Sequence, residues 1–375
     1  MGTFTNFFLS TAKTTAKAML SAPGAVASRT IEGARTAVSP SRTSASLAEY
    51  RNKGEVYGLV RANELILRVP RKLPHPFPLE EYLPRALKRN PYASLFALEG
   101  LGRLYGTSYL KAEIEPKNIL HTNVVPYLPE SARLVLHAGI GLSFAKVLLD
   151  RIANSANEAK INETVQRIVG LCRDNSEPSC LGAALEALGL VVRCFHPQMM
   201  AQTVKNLEEH SPDVLPYFWH GAGRAIYFTP GNFLPFSTWN AIQMAKQLGK
   251  GDKMIQDNAI SGVISALVMV NVRSPEVLAH LVIDAHGKQL LGEPGVAHGV
   301  ATSIIMREIT TPGASFIDSF LKFNPARASD EFRENWEQIV GAPSQRAVDV
   351  YAPAVKAQGQ FDVICKFDDL ENLTR

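Results

Sequence analysis

The sequence predicts an all-α fold: a curved, α-solenoid-like array of about six two-helix repeats of ~40 residues, preceded by an N-terminal amphipathic helix. Three observations carry this expectation. Small-residue clusters centred on Gly100, Gly139, Gly182, Gly221, Gly262 and Gly299 recur in steps of 39, 43, 39, 41 and 37 residues, the length of a two-helix unit. Within a unit, an apolar stretch opens with small residues. A short Pro-containing turn such as Ser274-Pro275 or Thr311-Pro312-Gly313 follows, and an amphipathic stretch comes next. Sustained two-residue alternation, the mark of strands, does not occur.

Residues 1–49 fall into two parts. Phe4, Phe7, Phe8, Ala12, Ala16 and Met19 recur at helical spacing, and residues 1–43 hold Lys13, Lys17, Arg29, Arg35 and Arg42 against one acid, Glu32. Three readings fit this pattern. One is an organelle transit peptide, which shares the Arg- and Ser-rich, acid-poor character. Another is an amphipathic helix over residues 4–20 lying on an anionic membrane surface or a partner. The third is a helix packed on the protein's own first repeat. Residues 37–49 (AVSPSRTSASLAE) are Ser-rich and predict a linker.

Residues 50–90 are expected to connect this region to the body. Glu55–Arg68 is read as helix. Six prolines within 67–91, including those of Leu73-Pro74-His75-Pro76-Phe77-Pro78, predict an extended path over the surface. Residues 91–323 form the repeat body and 324–375 a C-terminal extension, where Asp368, Asp369 and Glu371 predict a solvated acidic tail.

Composition narrows the function classes. Hydrophobic residues at 46% and charged residues at 20% support a buried core. The net charge of +4, from 39 Lys+Arg against 35 Asp+Glu, is too small and too dispersed for a nucleic-acid partner. Cys172, Cys180, Cys194 and Cys365 form no CxxC pair, which predicts reduced thiols in a cytoplasmic setting. No run of about 18 uninterrupted apolar residues occurs, so no membrane-spanning helix is predicted. Attachment to a membrane would be peripheral, through residues 4–20.

Glycine inside a helix costs about 1 kcal/mol relative to alanine. Close backbone approach between neighbouring helices offsets that cost, so the glycine clusters are read as packing surfaces. Gly100-x-Gly102 and Gly221-x-Gly223 lack the GxGxxG continuation and the following Lys-Ser/Thr of a phosphate loop. Polar residues recur beside the glycines: Glu99-Gly-x-Gly-Arg103-x-Tyr105, His220-Gly-x-Gly-Arg224-x-x-Tyr227, His298-Gly299, and His137 one residue out of register. In a tightly curved array Glu99, His137, His220, Arg224 and His298 would converge into a catalytic acid–base or anion-holding group. The alternative is that each histidine is hydrogen-bonded in place as part of the scaffold. Tyr217, Phe218, Trp219, Tyr227, Phe228, Phe233, Phe236 and Trp239 concentrate in 23 residues. They form either a core knot or an apolar pocket. In the second case Trp219, Tyr227, Phe228 and Trp239, with Tyr105 and Arg103, would bind an apolar substrate. No HExxH or Glu-x-x-His pair suggests a metal, and the residues name no cofactor.

Four segments resemble a known family. Phe218–Phe228 followed by Pro230-Gly231 is similar to the "GxGRxxxF" signature of an uncharacterised domain family found in bacterial secondary-metabolite gene clusters, including those for enediynes. Arg133–Asp150, Asn258–Asn271 and Val296–Arg307 resemble its other segments in the same order, with His137-Ala138 standing where the family has Glu-Gly. The resemblance implies an accessory or tailoring role in natural-product biosynthesis. Two functions follow as expectations: holding an apolar small-molecule intermediate in an aromatic-lined helical cavity, or acting as a non-catalytic helical-repeat scaffold for a protein partner.

Overall fold

The computed structural model describes residues 40–70, 72–229, 238–324 and 328–374. Among them every regular element is helical, as the all-α expectation requires. The expected helix at 4–20, residues 1–39 of the stretch 1–43 read as an import segment, Pro230-Gly231 and the aromatics Phe233 and Phe236 lie outside the described residues.

The helices run α1 (Pro40–Arg61), α2 (Leu79–Leu87), α3 (Pro91–Lys111), α4 (Glu130–Ile152), α5 (Glu158–Asn175) and α6 (Leu181–Phe195). Then come α7 (Met200–His210), α8 (Leu215–Phe228), α9 (Thr238–Leu248), α10 (Lys253–Asn271), α11 (276–290), α12 (Pro294–Thr310), α13 (Ser315–Leu321) and α14 (330–358). Two 3₁₀ turns, Phe361–Cys365 and Leu370–Thr374, follow. Local chemistry sets several ends. Asn90, Asn157 and Asp252 side chains accept the backbone N–H of Ala93, Lys160 and Ile255 at 2.9, 2.9 and 3.3 Å. Gly359 ends α14 with φ at +65°.

Six helices carry the small-residue clusters: α3, α4, α6, α8, α10 and α12. Each packs on the next, and α12 also returns to α4. The glycines explain how closely they approach. A Cβ on Gly139 would lie 2.2 Å from the Glu99 carbonyl oxygen, one on Gly221 2.0 Å from that of Glu186, and one on Gly262 2.0 Å from that of His220. Only glycine lets those backbones meet. The helices between them are amphipathic and cover the outside. On α5, Ile161, Val165, Ile168, Val169 and Cys172 are buried along one stripe. Two helices, Glu130–Ile152 and Pro178–Phe195, are long and apolar enough by composition to cross a membrane, yet both are mostly buried inside the body.

Contacts across the body tie its first and last helices together. The Tyr92 hydroxyl on α3 donates to the Val270 carbonyl on α10 at 2.7 Å. The fully buried Arg307 on α12 donates to the carbonyls of Met269 and Tyr92 at 2.9 and 3.3 Å. Its guanidinium lies 5.0 Å from the Tyr92 ring centroid and 5.5 Å from those of Phe96 and Phe316.

Three expectations change. The Ser-rich stretch read as a linker is helical from Pro40, and its Ala45, Ser46 and Glu49 are buried. Serine composition suggested solvation, but small side chains also suit a helix pressed against a body. The Pro-rich segment is irregular only to Pro78, after which α2 forms around Pro84. The acidic cluster is not a free tail. The Asp368 N–H donates to His298 Nε2 at 3.3 Å, Leu370 is buried, and Glu371 pairs with Arg346.

Candidate functional site

Glu186 is the hub of the charged centre. It stands alone among apolar residues in the first three turns of α6, with 2% exposure. One carboxylate oxygen accepts the Nδ1–H of His220 at 2.7 Å, and the other accepts Arg224 Nη1 at 2.9 Å. His220 and Arg224 are four residues apart on α8, so both face the same neighbour. Arg224 Nη2 also reaches Glu99 on α3 at 3.9 Å. The side chains of Glu186 and His220 are 3% and 1% exposed, whereas those of Arg224 and Glu99 keep 14% and 16%.

The electrostatics follow from that pairing. Burial works against the Glu186 carboxylate, but Arg224 and His220 outweigh it and hold its pKa below the ordinary range. Glu99 lacks a partner of that quality. Burial dominates there and raises its pKa, against the opposing pull of Arg224. Burial disfavours the Arg224 cation, but Glu186 and Glu99 outweigh it, so its pKa rises.

The sequence placed Glu99, His220 and Arg224 together, and the structure brings them together. It does not bring in His137. That ring donates from Nδ1 to the Arg133 carbonyl at 2.7 Å and accepts the Glu177 N–H on Nε2 at 3.1 Å, so both nitrogens are used within its own corner. His298 is similarly held, with Nδ1 on the Ser261 hydroxyl at 2.8 Å and Nε2 on the Asp368 N–H. Burial pushes His137 down to about 4 and His298 to about 3. Both are neutral scaffold histidines near neutral pH.

The expected substrate-binding aromatics are packed side chains. Tyr227 is fully buried, and its hydroxyl meets Glu49 at 3.1 Å and Asn271 at 2.9 Å. Trp219 packs edge-on against Phe218 at 5.3 Å, and Phe228 against Tyr57 at 6.1 Å. Trp239 stacks on His286 at 3.9 Å. Tyr105 donates to the Ile119 carbonyl at 3.2 Å. Arg103 feels Glu64 and Glu99, although burial is the larger influence and lowers its pKa. These residues are spread over several neighbourhoods, and none of them lines either of the two cavities below.

Two cavities are described. A groove of about 620 Å³ lies between α2 and residues 127–129, and a space of about 90 Å³ lies beside the C-terminal turns. Neither is lined by Glu99, Glu186, His220 or Arg224. Among the described residues no group of three His, Cys, Asp or Glu side chains could hold a metal ion. The four cysteines are free, and burial pushes Cys172, Cys180 and Cys194 up to about 12, far from reactive thiolates.

The sequence reading missed Glu186. It aligned the third repeat on Gly182, but a Cβ there would meet the Tyr217 side chain of α8 and Asp362 rather than the backbone of a neighbouring body helix. The interhelical glycine of that helix is Gly189, whose Cβ would lie 1.8 Å from the Phe218 carbonyl oxygen. A lone acid in the apolar run Leu181–Val192 was the available signal.

No family model, curated protein or solved structure matches the chain. The resemblance to the secondary-metabolite domain family therefore stands on the quoted motifs alone.

Proposed function

We propose that the chain is a non-catalytic helical-repeat scaffold, its six glycine-bearing helices the inner layer of a tightly closed repeat array, with a protein as its partner. One observation carries this reading. The recurrent polar residues, which in an enzyme would face substrate, are engaged with one another: Glu186 takes His220 and Arg224, and Glu99 faces Arg224. A small-molecule site of roughly 300–1,000 Å³ needs convergent groups left open toward a concave space. A cavity of that size lies beside α2, and it is not lined by the residues of the charged centre. In this reading the centre specifies how α3, α6 and α8 meet, a role for which buried polar groups are suited.

The test joins two measurements on the same variants. Arg224→Met strands Glu186 in the interior and is expected to cost about 3–5 kcal/mol by chemical denaturation. Arg224→Lys keeps the charge but loses the planar fork, so an intermediate loss is expected. His220→Gln retains a donor and is expected to cost least. Native mass spectrometry of the full chain is expected to show no retained small molecule. A retained species lost in Arg224→Lys at unchanged stability would overturn the scaffold reading.

A second reading is favoured by one specific feature. His220 Nε2 and Arg224 Nε are buried without a hydrogen-bond partner. Such atoms usually have an explanation, and a small ligand reaching the centre would supply one. The same mass-spectrometric result decides between the two.

A further inference from the structure

The groove beside α2 has a polarity of its own. Glu80, Leu83, Pro84, Leu87 and Lys88 line it, with Tyr127 and Pro129 on the opposite wall. The α2 residues fall at i, i+3, i+4, i+7 and i+8, one continuous helical stripe. Leu83 is buried and forms the floor, whereas Pro84 is exposed, Leu87 is 39% exposed and Tyr127 is 46% exposed. An apolar ridge and an apolar trough therefore lie side by side.

Charge is segregated along the same helix. Its N-terminal end carries Glu80 and Glu81, and its C-terminal end carries Arg85, Lys88 and Arg89. Arg85 pairs with Glu81 inside the chain, and Arg89 donates to the Ile66 carbonyl at 2.8 Å. Glu80 meets only the Tyr127 hydroxyl, at 3.4 Å, among its described hydrogen bonds. The rim thus presents an acid at one end of an apolar stripe and a base at the other.

We propose that this face binds a second copy of the chain, with the two α2 helices antiparallel about a two-fold axis. The two-fold operation places Glu80 of each copy opposite Lys88 of the other. It also sets each Pro84–Leu87 ridge over the facing trough. A two-fold contact must be self-complementary, since each residue pairing occurs twice. The acid–apolar–base order of α2 meets that requirement without any further partner. Antiparallel alignment also places the helix dipoles favourably. The apolar stripe supplies affinity, and the two rim pairs fix register and orientation. One short helix and the loop beside it give a contact at the low end of specific interfaces, so the dimer is expected to form in the micromolar range.

This inference goes beyond the scaffold reading and stands apart from the charged centre. The experiment is sedimentation velocity on the full chain from roughly 1 to 200 µM, the range over which a small interface populates both states. Wild type is expected to shift from monomer to dimer, and less so at high salt. Glu80→Lys or Lys88→Glu alone places like charges opposite each other twice and is expected to weaken the dimer at least tenfold, roughly. The Glu80→Lys/Lys88→Glu double variant is expected to restore it, as is an equimolar mixture of the two single variants. All these positions are exposed, so folding is not at stake, and far-ultraviolet circular dichroism confirms that. A wild type that stays monomeric throughout overturns the proposal. So does a dimer indifferent to the single changes, or a double variant no tighter than the singles.

Discussion

Two histidines inside the body never needed their charge. His137 and His298 each donate from one ring nitrogen and accept on the other, which only the neutral ring can do. Burial holds their pKa values at about 4 and about 3, against 6.5 for the free side chain. Because the folded values lie below the unfolded ones, the unfolded chain binds more protons between them. The associated stability is complete above pH 6.5 and is lost as pH falls toward 4 and 3. The full loss is on the order of 3–5 kcal/mol for each ring. Denaturant unfolding between pH 7 and pH 5 is therefore expected to show stability falling well above the carboxylate range. His298→Gln is expected to cost stability at pH 7 yet flatten the acid limb by about one proton. An acid limb of unchanged slope would contradict this assignment. The sequence revealed these residues because histidine is conspicuous beside glycine in an apolar helix. Their roles were not legible, since three of the four partners, the Glu177 and Asp368 N–H groups and the Ser261 hydroxyl, come from other elements.

At the scale of the helix, the glycine period was legible for a physical reason. A glycine in a helix interior is unfavourable unless something approaches where its Cβ would be. Gly139, Gly221, Gly262 and Gly299 do face the backbone of a neighbouring helix, whereas Gly100 faces the Asn63 side chain. Register was less legible, because one helix can hold glycines for different purposes. Gly182 makes room for Tyr217 and Asp362, Gly189 makes room for the α8 backbone, and Gly170 has nothing within 4 Å. That difference makes a paired prediction. Gly189→Ala puts a methyl 1.8 Å from the Phe218 carbonyl oxygen, which belongs to backbone and cannot swing away. The helices must part, at a cost of about 1–3 kcal/mol or more. Gly170→Ala meets open space in the middle of α5 and is expected to stabilise by about 0.5–1 kcal/mol. Thermal melts of the two variants check the pair. Equal effects would show that the close approach of α6 and α8 is not what Gly189 serves.

Across the whole molecule, the least legible feature is how α1 is fastened. Its composition gives no apolar stripe, and its exposed Leu47 and Tyr50 face away from the body. Polar groups do the fastening. Glu49 and Lys53 pair at 2.8 Å with side chains 2% and 1% exposed. Glu49 also accepts the hydroxyls of Tyr227 and Thr238 at 3.1 and 2.9 Å, and Lys53 lies 3.9 Å from the Tyr227 ring centroid. Asn52 donates to Asn271 and Ser274 at 3.1 and 3.2 Å. These residues stand four, three and one apart, Glu49 at the end of the stretch read as a linker and Asn52 and Lys53 just beyond it, and their partners lie near the far end of α8, at the start of α9, and at and just past the end of α10. Nothing local announces the network. Its consequence is that α1 belongs to the cooperative unit. A chain beginning at residue 37 keeps every one of these contacts and is expected to unfold as the full chain does. A chain beginning at residue 62 takes Glu49 from the hydroxyls of Tyr227 and Thr238 and the Asn52 amide from Asn271 Oδ1, and buried polar groups left unpaired cost roughly 1–3 kcal/mol each. Lys53→Met in the full chain isolates the charged part of that loss by stranding Glu49, with about 3–5 kcal/mol expected. Hydrogen exchange localises the effect. Amides near the ends of α8 and α10 around Tyr227 and Asn271 are expected to lose protection in Lys53→Met, while those of α5 and α7 keep theirs. Unchanged protection around Tyr227 in the chain that begins at residue 62 would show that α1 rests on the body without holding it.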